Sequence, residues 1–170
     1  LFWSGFEQAG SSLNLFARDL TDRVLFGWDM PVGYLQSVNS LFIIMFAPLF
    51  AWLWIRLARS GREPATPAKF AFGLLALGLG FVVMTVASIR TASVGPVGMS
   101  WLVTTYLLHT IGELALSPVG LSTVTKLAPK RMVGQLMGVW FLSISVGNLM
   151  AGQVAGLYAA LPLPRLFGAV

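Results

Sequence analysis

The sequence predicts an all-α, polytopic bundle of membrane-spanning helices, and three observations carry that expectation. Hydrophobic residues make up 56% of the 170 positions and charged residues only 10%, whereas a soluble domain carries ~25% charged residues. Uncharged runs cover 30–55, 70–89, 91–112, 114–125 and 132–164, and one crossing needs ~20 mainly apolar residues. Lys and Arg collect in the gaps, with counts of two, four, one, three and one in chain order. Rich and poor gaps alternate, as a chain crossing back and forth requires.

The elements follow in order. A first segment, about 1–16, is too short to span alone and ends in the charged connection Ala17, Arg18, Asp19, Leu20, Thr21, Asp22, Arg23. A second covers about 31–55, with Pro48 as a tolerated kink. The stretch 56–67, with Arg56, Arg59, Gly61, Arg62, Glu63 and two prolines, is a clear break. A third segment spans about 68–89, and a Gly/Pro/Ser loop at 91–98 leads to a fourth at about 99–127. A basic corner, 126–131, precedes a fifth at about 132–157, and Pro162 and Pro164 interrupt the chain before apolar residues resume at Leu166. The positive-inside rule places the second and fourth connections in the cytoplasm.

Composition also excludes function classes. The net charge of +5 is dispersed between spans and never forms a basic stripe with interleaved aromatics, so nucleic acid is not an expected partner. The absence of cysteine removes disulfides and thiolate metal sites. His109 and Glu113 have the spacing of a metal pair, but His109 is the only histidine, so no metal or other cofactor is expected. The chain opens on Leu1, Phe2, Trp3 without a basic leader, and it reads as an internal piece of a longer membrane protein.

Polar residues then sort the helices. Glu113 is the only formally charged residue between Arg90 and Lys126, and a carboxylate near the bilayer centre costs ~2.5–3.5 kcal/mol on insertion scales. It reads as an ammonium or cation site or a proton relay; the plainer alternative is a carboxyl hydrogen-bonded to a neighbouring helix. Glu7 is a second acid in an apolar segment, followed at helical spacing by Ser11 and Asn14. Gln36, Asn39 and Ser40 share one face, and could bind a polar substrate or tie helices together at ~0.6 kcal/mol each. His109, Glu113 and Ser117 follow four-residue steps, with Pro118 leaving the carbonyl of Leu114 without its helical donor. Trp140, Ser143, Ser145, Asn148 and Gln153 mark the fifth segment, while the third offers only Thr85 and Ser88. Segments one, two, four and five are therefore expected to line a cavity, with the third outside against lipid. The pairs Gly134/Gly138 and Gly152/Gly156, and Gly73, Gly78 and Gly80, are expected to permit close helix packing.

Residues 2–13, from Phe2-Trp3-Ser4-Gly5-Phe6-Glu7 onward, resemble the seventh helix of the proton-coupled oligopeptide transporters, the POT family. Gln36-Ser37-Val38-Asn39 resembles the start of their eighth helix, residues 112–122 their tenth, and Gly138-Val139-Trp140-Phe141-Leu142-Ser143 their eleventh. The resemblance implies the C-terminal half of a major facilitator superfamily transporter over 1–170: helices seven to eleven and the start of twelve, with no separate soluble domain. It implies symport of di- and tripeptides with protons, in partnership with the N-terminal half of the same protein and the lipid bilayer. Carried over position by position, Glu7 becomes the proton-coupling acid, and Glu113 and Asn39 bind the peptide amino terminus with Ser117 close by. Trp140 walls the side-chain pockets, and Trp3 joins the substrate-binding set. The resemblance implies a carrier of a bacterial inner membrane and no enzyme. Open alternatives are a related carrier of a small organic or nitrate-like substrate, a channel or sensor, and an intramembrane enzyme built on Glu7, His109 and Glu113.

Overall fold

The computed structural model describes residues 2–170. Its frame is four long apolar helices: α3 (Val32–Arg59), α4 (Thr66–Val94), α5 (Ser100–Leu127) and α6 (Val133–Gly156). At ~1.5 Å per residue, the shortest of them, α6 with 24 residues, still exceeds the ~30 Å hydrocarbon layer. Each carries an apolar stretch with mean hydropathy between 1.2 and 2.3, α6 together with the short turn before it. α3 and α5 run unbroken through Pro48 and Pro118. α3 and α4 reach past their expected ends because Arg56, Arg59 and Arg90 extend them while their charges reach toward the interface. Arg56 lies 5.1 Å from the centre of the Trp52 ring and Arg90 5.8 Å from that of Trp101. Such aromatic–cation pairs at helix ends are the usual furniture of a membrane interface.

Helix ends follow local chemistry. Pro67 sits in the first turn of α4 and Pro164 in that of α7 (Leu163–Ala169), where a missing N–H costs nothing. Gly95 closes α4 with φ +81°, a conformation that a Cβ would strain.

The first segment is not one helix. α1 (Phe2–Phe6) gives way to a 3₁₀ turn (Glu7–Gly10), and the chain resumes as α2 (Ser12–Asp19), past the expected end at 16. Gln8 holds the break together from a fully buried position. Its Nε2 donates to the Ser4 carbonyl (3.1 Å), and its Oε1 accepts from the Ser12 hydroxyl (2.6 Å) and the Ser11 hydroxyl (3.2 Å). Backbone groups freed inside a membrane must be served this way.

The connection between α2 and α3 contains strands that hydropathy does not reveal. β1 (Thr21–Asp22) pairs in parallel with β4 (Val97–Gly98), with Thr21 opposite Val97. β2 (Val24–Leu25) and β3 (Trp28–Asp29) form a hairpin whose turn places Phe26 at φ +52° and Gly27 at φ +81°. The β1–β4 pair ties the first and third connections together. Both therefore lie on one face of the membrane, as the charge alternation requires.

Packing departs from expectation at α4. This helix was expected outside, yet it is the main partner of α5 and also packs on α7 and α1. Gly73 and Gly80 are the reason. A Cβ on Gly73 would lie 2.9 Å from the Gly112 carbonyl oxygen, and one on Gly112 would lie 2.7 Å from that of Gly73. With no side chains between them, the backbones touch. Only the opposite face of α4, with Phe72, Leu75, Leu79, Val82 and Val86, is exposed and apolar, as a lipid-facing surface is. Conversely, a Cβ on Gly78, Gly134, Gly138, Gly152 or Gly156, all expected in close packing, would meet nothing within 4 Å among the described residues. α6 instead uses Gly147 against Trp3, and Gly120 of α5 receives the Trp140 ring.

The second connection is also more ordered than a charged linker. Lys69 is 6% exposed, its Nζ lies 2.5 Å from Glu63 Oε1, and it sits 4.5 Å from the centre of the Trp54 ring. The Lys69 ammonium holds the Glu63 carboxyl below the ordinary carboxylate range.

Candidate functional site

The candidate residues occupy α1, its 3₁₀ turn, α3, α5 and α6. Glu113, on α5, is half-buried, and its Oε2 is enclosed without a hydrogen-bond partner among the described residues. A buried carboxylate oxygen with no partner is costly in any apolar setting and more so in a bilayer. Glu7 opens the 3₁₀ turn, which packs against α6. Two acids thus stand on elements distant in sequence.

Asn39 reaches the same region from α3. Its Oδ1 lies 2.6 Å from the Oγ1 of Thr110, which is fully buried on α5 one turn before Glu113. The two residues are 71 positions apart. Trp3 and Trp140 meet edge to face, with centroids 6.5 Å apart and planes at 89°. Trp140 is seated on Gly120, and one side of it lines an apolar groove of about 460 Å³ between α5 and α6 with Thr123, Val124 and Ser143. Ser117 is half-buried one turn beyond Glu113, and no hydrogen bond joins the two.

His109 separates from the stripe that its spacing suggested. Its ring is buried against Phe81 (5.0 Å between centroids) and packs on Gly80, on the α4 side of α5. The cause is helical drift: two steps of four residues rotate the side chain by ~80°. His109 therefore points into the helix interface, while Ser117 turns out of it.

Sequence reasoning missed Thr110, Gln8 and the receiving glycines 120 and 147. Thr110 carried a signal, since it lies three residues before Glu113 and so on the neighbouring turn of the same side. Gln8 lay inside a noted motif, but its bonds arise only once the helix breaks.

Long apolar helices carrying intramembrane carboxylates define a multi-pass membrane bundle. The chain belongs to the POT family: that family, PTR2, matches residues 1–166. It is 50% identical over 157 residues to a protein named peptide transporter YePEPT from Yersinia enterocolitica, covering 91% of this chain and 31% of that protein. It is 36% identical to the dipeptide and tripeptide permease A of Chromobacterium violaceum, covering 94% of this chain and 32% of the relative. Among solved structures, it superposes with TM-score 0.89 and 40% identity on peptide transporter POT in complex with sulfate, covering 99% of this chain and 34% of the other. The chain thus spans about a third of the length of these relatives. With four membrane-length helices and bacterial relatives, it belongs to a multi-pass protein of the bacterial inner membrane.

Proposed function

We propose that the protein carrying this chain symports di- and tripeptides with protons across the bacterial inner membrane by alternating access, with residues 1–170 in its C-terminal transmembrane half. The observation that carries this reading is the enclosed, unpartnered Oε2 of Glu113. A peptide ammonium is the ligand that such an oxygen lacks. Glu113 is the anchor for the substrate amino terminus, with Asn39 and Ser117 flanking it. Trp3 and Trp140 wall the side-chain space. Glu7, at the helix break, is the proton-coupling acid: its charge decides whether it holds a cationic partner from the N-terminal half, and that biases the rocking of the two halves. The names of the relatives support peptides as substrate, as does a solved structure of a POT transporter, at 38% identity, in complex with alafosfalin. The reading is of a carrier and not an enzyme. It is supported by the burial of the His109 ring against Phe81 and Gly80.

The test is uptake and binding by the full-length protein in liposomes. Glu113→Gln should weaken binding of dialanine strongly while leaving binding of N-acetylated dialanine nearly unchanged. Equal loss for both ligands would remove the ammonium role. Absence of uphill dipeptide uptake by the unaltered protein under a proton gradient would remove the symport reading itself.

A further inference from the structure

We infer that the hairpin at 24–29 is a lipid anchor, with Phe26 and Trp28 seated in the headgroup and upper acyl region of the leaflet beside it. The inference concerns how the protein holds the bilayer and stands whether or not its cargo is a peptide. It begins with a turn residue of the wrong kind for its seat. Phe26 and Gly27 both carry positive φ, +52° and +81°. Two-residue hairpin turns with that backbone favour Asn before Gly, because a bulky side chain at positive φ is strained. Phe26 is also fully exposed, so no packing within the chain offsets the strain. A strained seat that no internal contact supports points to a contact outside the chain.

The chemistry of the hairpin names that contact. Its apex, Leu25, Phe26, Gly27 and Trp28, carries no charge, and Val24, Leu25, Phe26 and Trp28 are all exposed. Charge sits at the base instead. There Arg23 lies 3.5 Å from Asp29 and donates to the Met30 carbonyl at 2.6 Å. A loop tip built to stand in water is small and polar. An aromatic tip beyond a paired, charged base suits the boundary between headgroups and acyl chains.

α3 sets the level of the tip. Trp28 meets Tyr34 edge to face, with centroids 5.8 Å apart, so the hairpin folds back along the first turn of α3. Tyr34 is in turn one end of a stripe. Tyr34, Leu41, Met45 and Trp52 are all exposed and fall within ~20° of one line along the helix. Gln36, Asn39 and Ser40 lie ~120–160° around the helix from that line, so the stripe turns away from the polar side. Lipid is the neighbour that such a stripe fits. From Tyr34 to Trp52 the axis rises ~27 Å, close to the ~30 Å hydrocarbon layer. An aromatic ring thus marks each edge of the layer, as membrane interfaces favour. Arg56 over the Trp52 ring closes one edge, and the hairpin continues the lipid-facing surface at the other.

The experiment uses the full-length protein in liposomes and a fluorescent reporter beside Phe26. Residues 1–170 contain no cysteine, so Leu25→Cys, in a full-length background freed of any other cysteine, takes an environment-sensitive dye. Met45→Cys, in the middle of the α3 stripe, calibrates depth. Quenching is read with iodide in the water, and with lipids carrying a nitroxide either at the headgroup end or near the end of the acyl chain. The dye at 25 should be blue-shifted, protected from iodide and quenched most by the shallow nitroxide, whereas the dye at 45 should be quenched most by the deep one. Phe26→Asn keeps the turn, since Asn accepts positive φ, and removes the ring. In that background iodide quenching at 25 should rise while the reading at 45 stays unchanged. Three results would overturn the inference. Strong iodide quenching at 25 with Phe26 intact would place the tip in water. Protection from iodide without quenching by either lipid would place it against another part of the protein. An unchanged reading at 25 after Phe26→Asn would deny the ring its role.

Discussion

Replacing Gly112 with alanine tests the backbone contact between α4 and α5. The added Cβ would lie 2.7 Å from the Gly73 carbonyl oxygen, which is backbone and cannot rotate away. Carbon–oxygen contacts between helices settle at ~3.3–3.6 Å, so α4 and α5 must part by ~0.6–0.9 Å locally. Overpacking of this kind costs ~1–3 kcal/mol. The substitution also gains ~1 kcal/mol of helix propensity, which blurs the reading if Gly112→Ala is measured alone. Gly78→Ala removes that ambiguity. It lies in the same pair of helices, gains the same propensity and meets nothing within 4 Å. The difference between the two variants isolates the packing term at ~1–3 kcal/mol, about 5- to 150-fold in the unfolding equilibrium. Thermal or denaturant melts of the purified protein, followed by tryptophan fluorescence, read it directly. If Gly112→Ala melts at or above Gly78→Ala, the backbone contact is not what joins these helices.

Two other perturbations address charge. Glu7→Gln is predicted to abolish proton-driven accumulation while retaining peptide exchange, because it removes a titrating group but leaves the Trp3–Trp140 walls intact; equal loss of both activities would count against the assignment. Glu63→Gln is predicted to destabilise the protein at neutral pH, since it leaves the buried Lys69 ammonium without its anion. The sign with pH follows from the lowered Glu63 carboxyl. Its contribution is complete above the ordinary value of 4.5 and disappears as pH falls through the lower folded-state value. The stability gap between wild type and Glu63→Gln should therefore close only below that pH, and a gap independent of pH would sink the ion-pair account.

Hydropathy made the four long helices legible, because the signal is summed over ~20 residues and survives local error. What escaped depends on single contacts. Gly73 and Gly80 were expected to permit close packing, but that they receive α5, and so bring α4 inward, appears only when the two helices are laid together. The hairpin at Phe26 and Gly27 was hidden in a stretch read simply as a charged loop. At the site, Glu7, Glu113 and Asn39 stood out because polar residues are rare in such segments. Thr110 did not, since a threonine facing its own helix carbonyl looks the same in sequence as one that crosses to another helix. The four-residue stripe through His109 misled for a geometric reason, the slow rotation of such steps around the axis.

The uneven burial of the helices has a mechanical consequence. α4 and α5 share a backbone contact, and 39% of each apolar stretch is enclosed, against 0% for α3 and 6% for the stretch containing α6. α3 is fastened by Leu35, by the partly buried Val32, Val38 and Phe42 and by one amide–hydroxyl bond, and α6 by two indole rings resting on glycines. Contact of bare backbone joins the first pair, and side chains join the other two helices to it. Glu113 stands on the first pair, whereas Asn39 and Trp140 stand on the other two. A peptide held as proposed would touch the tightly joined pair and both helices that side chains fasten to it.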